Sequence, residues 1–158
     1  MVDENPATSV FTTCRFDENG KILGLEYHFN RLIDASKQIR CPNPDVELLS
    51  TTLSESIKKF GNKQGLARLT WSSKGQATCE TRSLEELHSP LVAITHPAPM
   101  WSRRFRGIKH GNWNPYLDAA KIARNSGADI SLLVVNHAIV DADRATPLIL
   151  DENGCAYF

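Results

Sequence analysis

The chain has 158 residues, 41% hydrophobic and 23% charged, the composition of a soluble globular protein with apolar material for one domain or one and a half. Its 18 basic side chains balance 18 acidic ones, so charge points to neither a nucleic-acid nor a membrane-surface partner. No apolar run approaches a membrane span, the acidic Met1-Val2-Asp3-Glu4-Asn5 is no signal peptide, and Cys14, Cys41, Cys79 and Cys155 show no metal-ligand spacing, so the expectation is a cytoplasmic protein with reduced thiols and no metal.

Ser9 to Phe16 is β-branched and aromatic and predicts a strand, with Asp17-Glu18-Asn19-Gly20 turning into a partner strand over Lys21 to Leu25. Leu25, Phe29, Leu32, Ile33, Ser36 and Ile39 keep helical spacing and predict a helix from about Glu26 to Ile39. Cys41-Pro42-Asn43-Pro44 breaks it. Asn43 then caps a second helix with Pro44 at its first position, and Val46, Leu49, Leu53, Ile57 and Phe60 form its buried stripe up to Gly61. Strands follow at Leu66 to Ser72, Ala77 to Thr81 and Leu91 to Thr95, around a Ser73-Lys74-Gly75-Gln76 turn.

His96-Pro97-Ala98-Pro99-Met100 has the composition of a stiff linker. Beyond it Tyr116 to Asn125 predicts a helix, Ile130 to Val135 a buried strand, and Ile139-Val140-Asp141 and Pro147 to Leu150 further strand pieces. Asp151-Glu152-Asn153-Gly154 turns into a strand that begins at Cys155. The fold class is α+β: a small N-terminal α/β sandwich domain over 1–96, a linker over 97–106, and the start of a second, β-rich domain over 107–158, expected to be incomplete.

Three stretches together resemble the class IV aminotransferases, the pyridoxal-phosphate (PLP) enzymes of fold type IV. This family includes branched-chain and D-amino acid aminotransferases and aminodeoxychorismate lyases. The first is Val10-Phe11-Thr12-Thr13-Cys14-Arg15 followed by His28-Phe29-Asn30-Arg31-Leu32, similar to the opening strand and HxxRL helix. The second is Gly107-Ile108-Lys109-His110-Gly111-Asn112, similar to the segment of the cofactor lysine. The third is Gly127-Ala128-Asp129, an apolar strand, and Ile139-Val140-Asp141-Ala142, similar to the strand pair that presents an acid to the pyridine nitrogen. Order and spacing fit over nearly the whole chain, but the family's later segments, including a phosphate-binding Gly-Ile/Val-Thr loop, have no counterpart. The resemblance therefore implies a C-terminally truncated member.

The resemblance implies roles for three residues. Lys109 would be the catalytic lysine, whose amine condenses with the cofactor aldehyde; burial or a neighbouring cation such as Arg106 would favour its neutral form. Arg31 would bind the cofactor phosphate, for which a guanidinium is suited. Asp141 would keep the pyridine nitrogen protonated. The family usually carries glutamate there, and aspartate is shorter by about 1.5 Å. The competing readings are a surface lysine, an arginine paired with Asp34 or Glu26, and a strand-end aspartate. His28 reads as a packing histidine three residues before Arg31, Trp101 and Trp113 as core or dimer packing, and Tyr116 as packing at its helix start. Thr146 stands where the family has asparagine, and Pro147 follows it, a departure that removes a backbone donor.

The implied reaction is amino transfer between an amino acid, branched-chain or similar, and a 2-oxo acid, carried out by a homodimer. Two other readings stay open. One is an aminodeoxychorismate lyase releasing pyruvate, towards which His110 and Asn112 lean. The other is a non-catalytic relative that keeps the fold.

Overall fold

The computed structural model describes residues 5–84 and 90–157. These form two compact units. The first takes the described residues up to 84 together with Trp101–Asn112; the second takes residues 90–100 and 113–157.

In the first unit β1 (Ser9–Phe16), β2 (Gly65–Ser72) and β3 (Ala77–Ser83) make an antiparallel sheet in that order. β1 pairs with β2 along its whole length, from Ser9 opposite Ser72 to Phe16 opposite Gly65. Helices α1 (Leu25–Ile39) and α2 (Val46–Phe60) cover one face. Strand alternation sends Val10, Cys14 and Phe16 of β1 and Ala67, Leu69 and Trp71 of β2 towards the helices, where they meet Leu32, Ala35, Ile39, Leu49, Leu53 and Ile57. Each large aliphatic or aromatic side chain fully buried here contributes about 1.5–3 kcal/mol. Trp71 Nε1 donates to the Pro42 carbonyl at 2.9 Å and ties the loop between the helices to the sheet.

Two local expectations change. Lys21 to Leu25 is no strand: a single bridge joins Phe16 to Ile22, and α1 begins directly after Gly24, whose φ is +64°. The long-range pairing with β2 satisfies the β1 ladder, and Asp17 Oδ1 draws in the amides of Asn19 and Lys21 at 2.9 and 2.8 Å. The cap of α2 is Asp45 rather than Asn43. Its carboxylate accepts from the Glu47 and Leu48 amides at 3.0 and 3.1 Å, placing Pro44 outside the helix.

The second unit has β4 (Ala93–Pro97) parallel to β5 (Ile130–Val135), and β6 (Ala138–Ala142) antiparallel to β5. Between β4 and β5 runs α3 (Asn114–Asn125), which lays Ala119, Ala120 and Ala123 on the sheet. β5 turns into β6 through Asn136 and His137, both at positive φ (48° and 67°), the backbone of a tight two-residue hairpin. Leu133 is buried on β5, whereas Ile139 and Val140 of β6 are 52% and 56% exposed. A hairpin of β7 (Ile149–Leu150) and β8 (Ala156–Tyr157) follows, starting beyond Pro147.

The expected division at 97–106 does not match this packing. His96 and Pro97 lie in β4, and the Ala98 amide donates to the Val134 carbonyl at 3.0 Å. Residues Trp101–Asn112, Lys109 included, pack with the N-terminal unit. Proline composition suggested a free connector, but backbone bonding carries the segment into two sheets in turn.

Candidate active site

Lys109 is held by its neighbours' backbone. The Phe11 amide donates to the Lys109 carbonyl at 2.9 Å, and the Gly111 amide to the Ser9 carbonyl at 2.9 Å, with His110 bridged to Val10. Residues 109–111 thus lie along the edge of β1 that β2 does not use. Upstream, Gln38 Nε2 donates to the carbonyls of Arg104 and Arg106 at 2.9 and 3.2 Å. Arg104 donates to the Ile39 carbonyl, fastening the segment to the end of α1. Gly111 lies in close approach: a Cβ there would overlap Thr8 Oγ1 and fall 2.9 Å from Ser9 Oγ, so these hydroxyls would have to turn away.

Alternation along this edge separates two environments. Ile108 packs against the helix-side core, and His110 is fully buried, with Trp101 and Phe105 edge-on at ring distances of 4.5 and 5.7 Å. Burial lowers the His110 pKa below the ordinary histidine value. Lys109, between them, is half-buried and alternates to the other face. Its Nζ lies 5.8 Å from the centre of the Phe11 ring, over which the Arg68 guanidinium also sits, at 3.7 Å. Phe11 and Arg68 were missed in the sequence, because only the β1–β2 register reveals that they share a face with Lys109. Arg106, the cation expected beside the lysine, donates through Nε to the Trp101 carbonyl at 2.9 Å.

Arg31 emerges from α1 beside the buried Thr12 of β1. Its Nη2 donates to Thr12 Oγ1 and, at 3.2 Å, to His28 Nδ1, while Thr12 Oγ1 and His28 Nδ1 lie 2.8 Å apart. Among the described residues no ion pair joins Arg31 to Asp34 or Glu26; Asp34 pairs with Lys37 instead, at 3.6 Å. Arginine has only donors, so His28 Nδ1 must accept and the ring proton sits on Nε2. Burial, and then the positive charge of Arg31, hold the His28 pKa below the ordinary range, in keeping with a neutral ring. Nε and Nη1 of Arg31 make no hydrogen bond among the described residues and are available to a ligand.

Asp141 lies in the second unit on β6, opposite Leu133 at a register shift, half-buried. Its Oδ1 accepts the Ala142 amide at 2.8 Å, which leaves Oδ2. Trp113 and Tyr116 stack face to face at the start of α3, 3.8 Å apart. A cleft of about 560 Å³ opens elsewhere, between the turn after β1 and α2, lined by residues such as Glu18, Leu25, Leu53 and Lys58; none of Lys109, Arg31 and Asp141 lines it. The described residues contain no cluster of metal ligands and no helix long and apolar enough to cross a membrane.

Lys109 lies on the Phe11 side of β1 and Arg31 on its helix side, while Asp141 belongs to the second unit; taken singly, an anchored primary amine and a guanidinium with spare donors have the chemistry that a phosphorylated aldehyde cofactor needs. The chain belongs to the class IV amino-transferase family, whose model matches residues 9–158. No curated protein matches it in sequence. Among solved structures it is similar to a candidate 4-amino-4-deoxychorismate lyase, at 25% identity and a TM-score of 0.75, over 92% of this chain and 62% of that one. It shares its fold with a hypothetical aminotransferase from Mycobacterium tuberculosis in its PLP-bound form, at 17% identity and a TM-score of 0.75, over 90% of this chain and 58% of that one. The same holds for a branched-chain aminotransferase from Thermoproteus uzoniensis with norvaline, at 17% identity and a TM-score of 0.69, over 87% and 54%. The chain thus spans about three fifths of the first of these, 62% of its length.

Proposed function

We propose that this chain carries the lysine and the phosphate grip of a PLP-dependent aminotransferase acting on an amino acid and a 2-oxo acid. The observation that carries the reading is the presentation of Lys109. Its backbone is fixed on β1, its neighbours Ile108 and His110 turn towards the core side, and its side chain lies on the side of Phe11 and Arg68. When bound, PLP supplies an electron sink that acidifies the Cα–H of an amino acid. Lys109 would hold the cofactor through Nζ, and the same amine would carry the proton taken from the amino acid. Arg31, whose Nη2 is engaged by Thr12 and His28, would hold the phosphate with its remaining donors. Asp141, whose Oδ1 is taken by the Ala142 amide, would be the carboxylate that keeps the cofactor ring protonated. Arg68, on the face of Lys109, orients a substrate carboxylate. The assembly that goes with this reading is a homodimer.

A second reading has one observation in its favour, the 25% identity to a candidate 4-amino-4-deoxychorismate lyase. It uses the same lysine and cofactor to release pyruvate. Titration of the purified protein with PLP, followed by visible absorbance, tests the shared part: saturable binding that is lost in Lys109→Ala supports it, and no uptake by the native chain refutes it. Amino transfer to 2-oxoglutarate against pyruvate formation from aminodeoxychorismate then separates the two reactions.

A further inference from the structure

We propose that Thr12 is the positioning residue of the phosphate grip, a buried hydroxyl that fixes the Arg31 guanidinium by bridging it to His28. The inference rests on the reading of Arg31 as the phosphate ligand and extends it to residues with no assigned role. Thr12 has no exposed surface and sits on the helix side of β1, where the other buried residues of the strand, Val10, Cys14 and Phe16, are hydrophobic. A hydroxyl there must find partners, since a buried unpaired one is costly. It finds them in α1: it accepts from Arg31 Nη2, and its own proton goes to His28 Nδ1, 2.8 Å away. Arg31 Nη2 reaches the same Nδ1 at 3.2 Å, closing a triangle of three side chains.

The triangle does two things for a phosphate ligand. Arginine carries much rotamer freedom, and holding Nη2 at a strand-anchored oxygen removes part of that freedom before the ligand arrives. Both contacts fall on Nη2 alone, so Nε and Nη1 keep their donors. The spacing supports the assignment. His28 and Arg31 are three residues apart and share one face of α1, and that face crosses β1 at Thr12. A valine has the same shape and would fill the Thr12 position as well for packing, so the hydroxyl marks a polar task.

The test measures PLP affinity by absorbance titration, and competition by inorganic phosphate, on the full chain. Arg31→Gln is the reference and should weaken PLP binding at least about 100-fold. Thr12→Val keeps shape and β-branching but removes the oxygen. It should weaken binding about tenfold, equivalent to about 1.4 kcal/mol, and weaken phosphate competition in parallel. Thr12→Ser should stay within about twofold of the native chain. His28→Asn, which can place an amide oxygen where Nδ1 lies, should retain more affinity than His28→Leu. The histidine pair also decides the matter if Thr12→Val does not fold. Long-range 15N NMR of the native protein should find the His28 proton on Nε2. Affinity lost in Arg31→Gln but unchanged in both Thr12→Val and His28→Leu overturns this proposal alone, as does a proton on His28 Nδ1. Affinity unchanged in Arg31→Gln overturns the phosphate reading, and this proposal with it.

Discussion

Cys14 and Cys155 show how far one residue type can diverge in a single chain. Cys14 lies under the helices, and burial, reinforced by Cys79, pushes its pKa up to about 11; Cys155 is exposed. The thiolate is the reactive form, so a thiol reagent at neutral pH should label Cys155 promptly and Cys14 only after denaturation, as read by peptide mass mapping. Equal labelling of the two in the native protein would contradict the packing of β1 on the helices. At this scale the sequence offered candidates where a local motif carried the signal, Lys109 in Gly-Ile-Lys-His-Gly and Arg31 in His-Phe-Asn-Arg-Leu, and their roles are proposals. It was silent on Arg68 and Thr12. Arg68 lies 57 residues from Phe11 in the chain (68 − 11), and their meeting is a product of strand register. Thr12 looked like any β-branched strand residue until α1 was laid across it.

The elements divide along the same line. Both N-terminal helices and strands β1, β2 and β5 were readable because amphipathic spacing and apolar runs are written in consecutive residues. The strand expected at Lys21 to Leu25 was not there, because the partner of β1 lies some fifty residues on, and local turn chemistry cannot announce a non-local ladder. Over the linker expected at 97–106 local composition is likewise silent on packing: prolines end β4, and Trp101–Asn112 group with the first unit. The edge of β1 makes a sharp demand on Gly111, where a Cβ would overlap Thr8 Oγ1 and crowd Ser9 Oγ. Gly111→Ala should therefore destabilise the fold by about 1–3 kcal/mol and weaken PLP binding along with it, by displacing the lysine two residues before. A chemical denaturation midpoint indistinguishable from the native one would mean that residues 109–111 do not run against β1 as described.

For the whole molecule, pH separates folded from unfolded through two histidines. His28 and His110 both have pKa values lowered in the fold, each mainly by burial and His28 also by Arg31. In the unfolded chain they return to about 6.5. The unfolded state therefore binds protons first as pH falls. The stability these neutral rings contribute is fully present above about pH 6.5 and is lost as pH drops towards their folded values. Melting temperature should hold steady from about pH 8 to 7 and decline below about 6.5; a rise between about 6.5 and 5.5 would contradict the burial of these rings. The two units also differ in how their apolar surface is used. The first closes its core between sheet and helices, while β6 and the final hairpin of the second keep Val140, Ile149 and Leu150 more than half exposed.

Everything proposed for the site depends on Lys109 being the residue that binds the cofactor. Borohydride reduction of the PLP-treated protein, followed by proteolysis and mass mapping, tests it most directly. One pyridoxyl-modified peptide is expected, containing Lys109 and absent when Lys109 is replaced by alanine. Modification scattered over exposed lysines, or a Lys109 peptide recovered unmodified, would contradict it.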